Sequence, residues 1–154
     1  MDRLAGVRRF VELEGDKKDP SLIHDVVATL LRPGLGREQL TRFLTQVNGA
    51  TFLDVIASKN VAGREGFLYL LGVVGPAQPF DIRRINARYQ SLRASGMCVV
   101  TASDISGGYL LHESGRMWWS DLLQKTMGVV RYDMAEVGTD FDGFVDGLVP
   151  KFVD

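Results

Sequence analysis

Apolar residues recur at a helical period along the first third of the chain and at shorter, strand-like spacing after it. Leu4, Val7 and Val11 fall on one helical face. In DPSLIHDVVATLL, Asp19 stands at the N-cap and Pro20 at the first helical position. That start is favoured because the cap side chain accepts an orphan amide and proline presets the backbone. RPGLG at 32–36 ends the helix. From near Arg37, Leu40, Phe43, Leu44 and Val47 follow the i, i+3, i+4, i+7 pattern of a third helix, which Asn48-Gly49 stops with a left-handed turn.

After that stop, TFLDVIA and GFLYLLGVV are short runs rich in β-branched and aromatic residues and bounded by glycine, which predicts half-buried or central strands. One helix interrupts them. Over 81–94, Ile82, Ile85, Tyr89 and Leu92 share a face while Arg83, Arg84, Arg88 and Arg93 lie elsewhere, so this helix should rest on the sheet with a basic outer surface. MCVVTASD, YLLHE and RMWWS then follow, separated by ISGG and SG, glycine-bearing links of the kind that close hairpins. GVVRYD reads as a further strand. In TDFDGFVDGLVPKF, Phe141, Phe144, Val145 and Leu148 return to helical spacing behind Thr139 as cap, which predicts a closing helix. The fold class is α+β: a largely antiparallel sheet of about four to six strands covered by helices.

Composition changes little in that picture. The 154 residues are 45% apolar and 24% charged, the balance of one ordinary domain spanning 1–154, with the N-terminal helices in 1–36. A formal net charge of −1 creates no global field toward nucleic acid or an anionic membrane, so neither is expected as a direct partner. Cys98 is the one cysteine; it allows no intramolecular disulfide and no thiolate-rich zinc site. The start, MDRLAGVRRFVELEGDKKD, has no long apolar core, and no window nears the ~18 apolar residues of a membrane span, so the expected location is the cytoplasm.

The stretch SDISGGYLLHESGRMWW carries the residues that invite chemistry. Asp104, Ser106 and His112 could make a small hydrolase, but that chemistry needs a base and an orienting carboxylate within reach and an oxyanion hole. In a tight hairpin the glycines and Asp104 are explained by the turn itself. His112 and Glu113 are consecutive on a strand and point to opposite faces, which suits no shared metal, and His24 is the only other histidine. No metal and no cofactor are expected. Cys98 within MCVV reads as a small apolar core residue. The glycine-rich GLGRE and AGREG lack the spacing and the Lys-Ser/Thr of a phosphate loop. Arg83, Arg84, Arg88 and Arg93 read as a solvated helix face. From Asp133 onward, by contrast, Asp133, Glu136, Asp140, Asp142, Asp146 and Asp154 face only Lys151, and an acidic end beside a basic helix suits protein partners. Trp118 and Trp119 must point to opposite faces of one strand; Met117 and Trp119 are assigned to the core side, Trp118 and Ser120 to the other.

Three segments in this order resemble the SUKH superfamily, which joins bacterial toxin-immunity proteins to fungal regulators of cell-wall synthesis. REQLTRFLTQVNGATF resembles that family's helix ending in an Asn-Gly stop before a strand. VVTASDISGGYLLHESGRMWWSD resembles its strand, aspartate and glycine turn, second strand, Ser-Gly turn and aromatic third strand, whose tryptophan usually stands near the place of Ser120 here. VGTDFDGFVDGLV is similar to its ending, a short strand leading into an acidic helix with paired phenylalanines. Together they cover most of residues 37–149. The resemblance implies a non-enzymatic protein that neutralises a cognate toxin, such as a nuclease, by covering it; a regulatory or scaffold module binding an endogenous protein is the alternative. The contacts it implies are the aromatics Trp118 and Tyr109, the acids Asp140, Asp142 and Asp146, and Arg84 and Arg88 of the basic helix.

Overall fold

In the computed structural model the described residues are 11–13, 19–58, 66–102, 107–121, 125–126, 129–130 and 133–150. The first element among them is a strand, β1 (Val11–Leu13), so the helix expected through Leu4, Val7 and Val11 does not include Val11; Leu4 and Val7 lie outside the described residues. Val11 pairs instead opposite Phe52, where a β-branched residue suits a ladder better than a helix. Helix α1 (Pro20–Leu30) starts as its sequence predicts, with the Asp19 carboxylate accepting from the Ser21 amide at 2.7 Å, and buries Ile23, Val26, Val27 and Leu30.

Helix α2 (Leu35–Gln46) begins two residues before Arg37, within RPGLG, and the glycines there have a packing reason. A Cβ at Gly34 or Gly36 would collide with the carbonyl oxygens of Glu113 and His112, and the Gly36 amide donates to the Glu113 carbonyl at 2.9 Å. Gly36→Ala is therefore expected to destabilise the protein by about 1–3 kcal/mol, because two backbones must separate to admit one methyl group. Urea denaturation checks this, and an unchanged midpoint would mean that the contact yields freely. At its other end α2 stops at Val47 in extended conformation, and Gly49 takes φ +84° against the backbone of Leu70 and Gly72. Between them Asn48 is buried, its amide donating to the Val73 carbonyl at 2.6 Å and accepting from the Val73 amide at 2.8 Å.

Strand β2 (Ala50–Ser58) pairs antiparallel with β3 (Phe67–Leu70). The single helix expected over 81–94 is two: α3 (Ile82–Ala87) and α4 (Gln90–Ala94), broken at Tyr89, whose φ −128° and ψ +49° are not helical. Its apolar face survives the break, with Ile82 and Leu92 buried and Ile85 and Tyr89 packed against the core. MCVVTA likewise divides into β4 (Met97–Val99) and β5 (Thr101–Ala102). Val100 is the switch, donating to Tyr109 in one sheet and accepting from Leu71 in the other. β6 (Gly108–His112) and β7 (Arg116–Asp121) continue the meander, the pair β8 (Lys125–Thr126) and β9 (Val129–Val130) stands apart, and β10 (Asp133–Asp140) returns along β7. Residues 129–130 and 133–140 thus occupy separate strands where one was expected through GVVRYD.

The closing helix α5 (Phe141–Asp146) is capped by Asp140, whose carboxylate accepts from the Gly143 amide at 2.8 Å, one residue later than the Thr139 expected. Leu148 is not on it but in β11 (Leu148–Pro150), which pairs with the far end of β2. The architecture is α+β with antiparallel sheets covered by helices: β1, β2, β3, β5 and β11 form one sheet, and β10-β7-β6-β4 the other. One hydrophobic cluster joins them. At its centre Tyr109 is inaccessible to solvent, with ring centroids 4.7 Å from Phe144, 5.1 Å from Trp119 and 5.9 Å from Phe67. No helix among the described residues is long and apolar enough to cross a membrane.

Candidate functional site

Within the stretch that invites chemistry, the described residues from His112 to Gly115 are bonded into their own turn and to neighbouring segments. Asp104 and Ser106 lie outside the described residues. His112 shares a hydrogen bond with the Ser114 hydroxyl at 2.8 Å and accepts from the Ser114 amide, while Glu113 pairs with Arg32 at 2.7 Å. Around this turn the Glu113 amide donates to the Gly96 carbonyl and the Phe141 amide to the Gly115 carbonyl, so HESG ties α2, α4 and α5 together. Cys98 is buried as expected, and burial pushes its thiol up to about 12, which leaves it unreactive at neutral pH.

Of the two aromatic contacts expected from the sheet, Tyr109 is corrected by its burial. Tyr109 lies opposite Trp119, and Leu110 opposite Trp118, so each pair occupies one face. Tyr109, Leu110 and Leu111 are all buried, which means both faces are covered, and Tyr109 cannot reach a partner. Met117 and Trp119 do share a face, but Ser120 on the opposite one is equally buried. Trp118 and Trp119 are each half-buried against the core, and the Trp118 Nε1 is inaccessible and has no acceptor among the described residues.

The arginines of 81–94 do not form one face, because the break at Tyr89 and the partners of each side chain send them apart. Arg84 donates to the Ala77 carbonyl at 2.6 Å, and Arg88 is exposed at the end of α3. Arg83 turns back onto Asp81, the N-cap of α3, in a contact at 2.8 Å. Asp81 has no solvent-exposed surface and accepts from the amides of Val74, Gly75 and Arg83 as well as from the Arg83 guanidinium. Burial pushes its carboxyl up, but these donors outweigh burial and hold it below the ordinary carboxylate value.

Arg83 and Arg93 instead meet Arg32 and Arg37 around a cleft of about 800 Å³, between the end of α1, the start of α2 and the α3–α4 pair. Three of the four are held in place. Arg32 rests on Glu113, Arg83 on Asp81, and Arg37 donates to the Leu31 and Ala28 carbonyls at 2.8 and 3.2 Å, capping the negative end of α1. Sequence reading missed Arg32 and Arg37; the one local signal is that both flank the break between two helices. No acid lines this cleft among the described residues, and no group of three or more His, Cys, Asp or Glu among them could hold a metal ion.

The acidic end is less uniform than its composition. Asp140 caps α5 and receives the Gln39 amide at 3.3 Å, Asp142 pairs with Arg42 at 2.8 Å, and Asp146 is exposed at the end of the helix. Phe141 and Phe144 are anchored in the core beneath them, as expected.

No family model, curated protein or solved structure matches the chain. The functional reading therefore rests on these residues and on the resemblance of their order.

Proposed function

We propose that the chain is a non-enzymatic binding module of the SUKH type, an immunity protein of the bacterial cytoplasm that neutralises a cognate toxin by covering its working surface. The observation that carries this reading is the order of the three resembling segments. Their described residues fall on formed elements: the helix and its Asn-Gly stop on α2 and the start of β2, the strands of the second segment on β5, β6 and β7, and the last segment on the end of β10 and on α5, which carries both phenylalanines. The structural commitments of His112 and Glu113 support a binding role over hydrolysis. The contact surface is the acidic face of α5 that carries Asp142 and Asp146, which steers a basic partner by complementary charge.

Co-expression with the product of the adjacent gene tests the reading. Relief of that product's toxicity and recovery of a one-to-one complex are expected. A toxic product that is neither bound nor neutralised overturns it, and recovery of a host regulator instead would favour the scaffold alternative. With the toxin in hand, Asp146→Lys should slow association by about threefold to tenfold at low salt and flatten its salt dependence, since removing a steering charge acts mainly on the encounter. Stopped-flow binding measures this; unchanged kinetics would move the contact away from α5. Asp146 is chosen over Asp142 because reversing Asp142 would also set a lysine against Arg42.

A further inference from the structure

The basic cleft is not used by the toxin-binding reading, and it has the form of a ligand site. We propose that it binds a small organic anion, a molecule carrying phosphate or carboxylate oxygens on a planar or aliphatic body. Four arginines, two from the α1–α2 junction and two from the α3–α4 pair, line one concavity of about 800 Å³, within the size range of small-molecule sites. Asp81 and Glu113 neutralise Arg83 and Arg32. Arg37 and Arg93 have no carboxylate partner among the described residues, so the cleft carries positive charge with no acid on its wall.

The donors are also prearranged. A guanidinium offers five N–H groups, and those of Arg37 and Arg83 spend some of them on the protein itself, which fixes the side chain while leaving others to an anion. Fixing a long side chain in advance removes the ordering cost that a solvated arginine would meet on binding. A bare inorganic ion would leave most of this volume unfilled. The half-buried Tyr89 and the apolar Leu30, Leu31 and Met97 line the remainder, which calls for a ring or short chain behind the charged group. The concavity favours a small molecule over a nucleic acid, which needs a charged track with stacking residues along it.

Calorimetric titration of the full chain at low salt with AMP, citrate, adenosine and inorganic phosphate tests the proposal. AMP or citrate is expected to bind one per chain, about tenfold or more tightly than inorganic phosphate, and adenosine not at all. AMP without citrate identifies phosphate as the recognised group, and citrate without AMP identifies carboxylate. Arg93→Ala, at an exposed position on α4, should weaken that binding about tenfold with the melting temperature unchanged. Arg116→Ala, which lies outside the cleft and faces Glu136, should leave binding as it is. The proposal is overturned by the absence of saturable binding up to about 10 mM of AMP and citrate. Binding that Arg93→Ala does not weaken, or that Arg116→Ala weakens equally, overturns it too.

Discussion

Asp81→Ala should lower the unfolding free energy by about 2–4 kcal/mol, the cost of taking a buried acceptor away from the donors that converge on it. The carboxylate gathers three backbone amides and the Arg83 guanidinium at 2.8–3.0 Å. Its loss leaves those amides desolvated and releases the segment from Val74 to the start of α3. Urea denaturation at neutral pH measures the change, and a loss below about 1 kcal/mol would mean that water replaces the carboxylate without penalty. The same group sets a pH dependence. Because its folded pKa lies below the unfolded one, Asp81 contributes stability that is fully present above the unfolded carboxylate value of about 3.9 and is lost as pH falls through the lower folded value. The gap in stability between the wild type and Asp81→Ala should therefore shrink as acid is added across that window.

Tyr109→Ala should cost a similar amount, about 3–5 kcal/mol, by emptying the place where Phe67, Phe144 and Trp119 meet. The affinity of the molecules that remain folded should not change, because the ring reaches no surface. A variant of normal stability with lost partner affinity would return Tyr109 to the binding surface and overturn the packing described for it.

What could be read from the sequence was local. Asp19 and Pro20 start α1 because a cap and a fixed φ act on the residues beside them, and the Ser-Gly turn closes β6 onto β7 for the same reason. The division of strands between two sheets was not local. Val100 is apolar like its neighbours, and only the positions of Leu71 and Tyr109 decide that it bonds in two directions. The break at Tyr89 is similar: the apolar face runs continuously through 82–92, yet the Asn86 amide is drawn to the backbone of Val99 at 2.7–3.0 Å, which anchors α3 to the edge of β4. The arginine cleft was invisible because its two halves are far apart in sequence. Half of the basic helix faces it, and Arg84 and Arg88 do not.

Asn48, tied to the backbone of Val73, also bears on how long the protein stays intact. Asn48 precedes glycine, the neighbour that least obstructs attack of the following amide nitrogen on the side-chain carbonyl, the route by which asparagine slowly becomes aspartate. In the folded chain that nitrogen is held by the Val47 carbonyl at 2.9 Å and the amide is locked to Val73, so folding itself slows the reaction. A chain that has aged at this position while unfolded presents a carboxylate oxygen to the Val73 carbonyl where an N–H belonged. Two acceptors then face each other in a site closed to water, and the molecule carries a record of the time it spent unfolded.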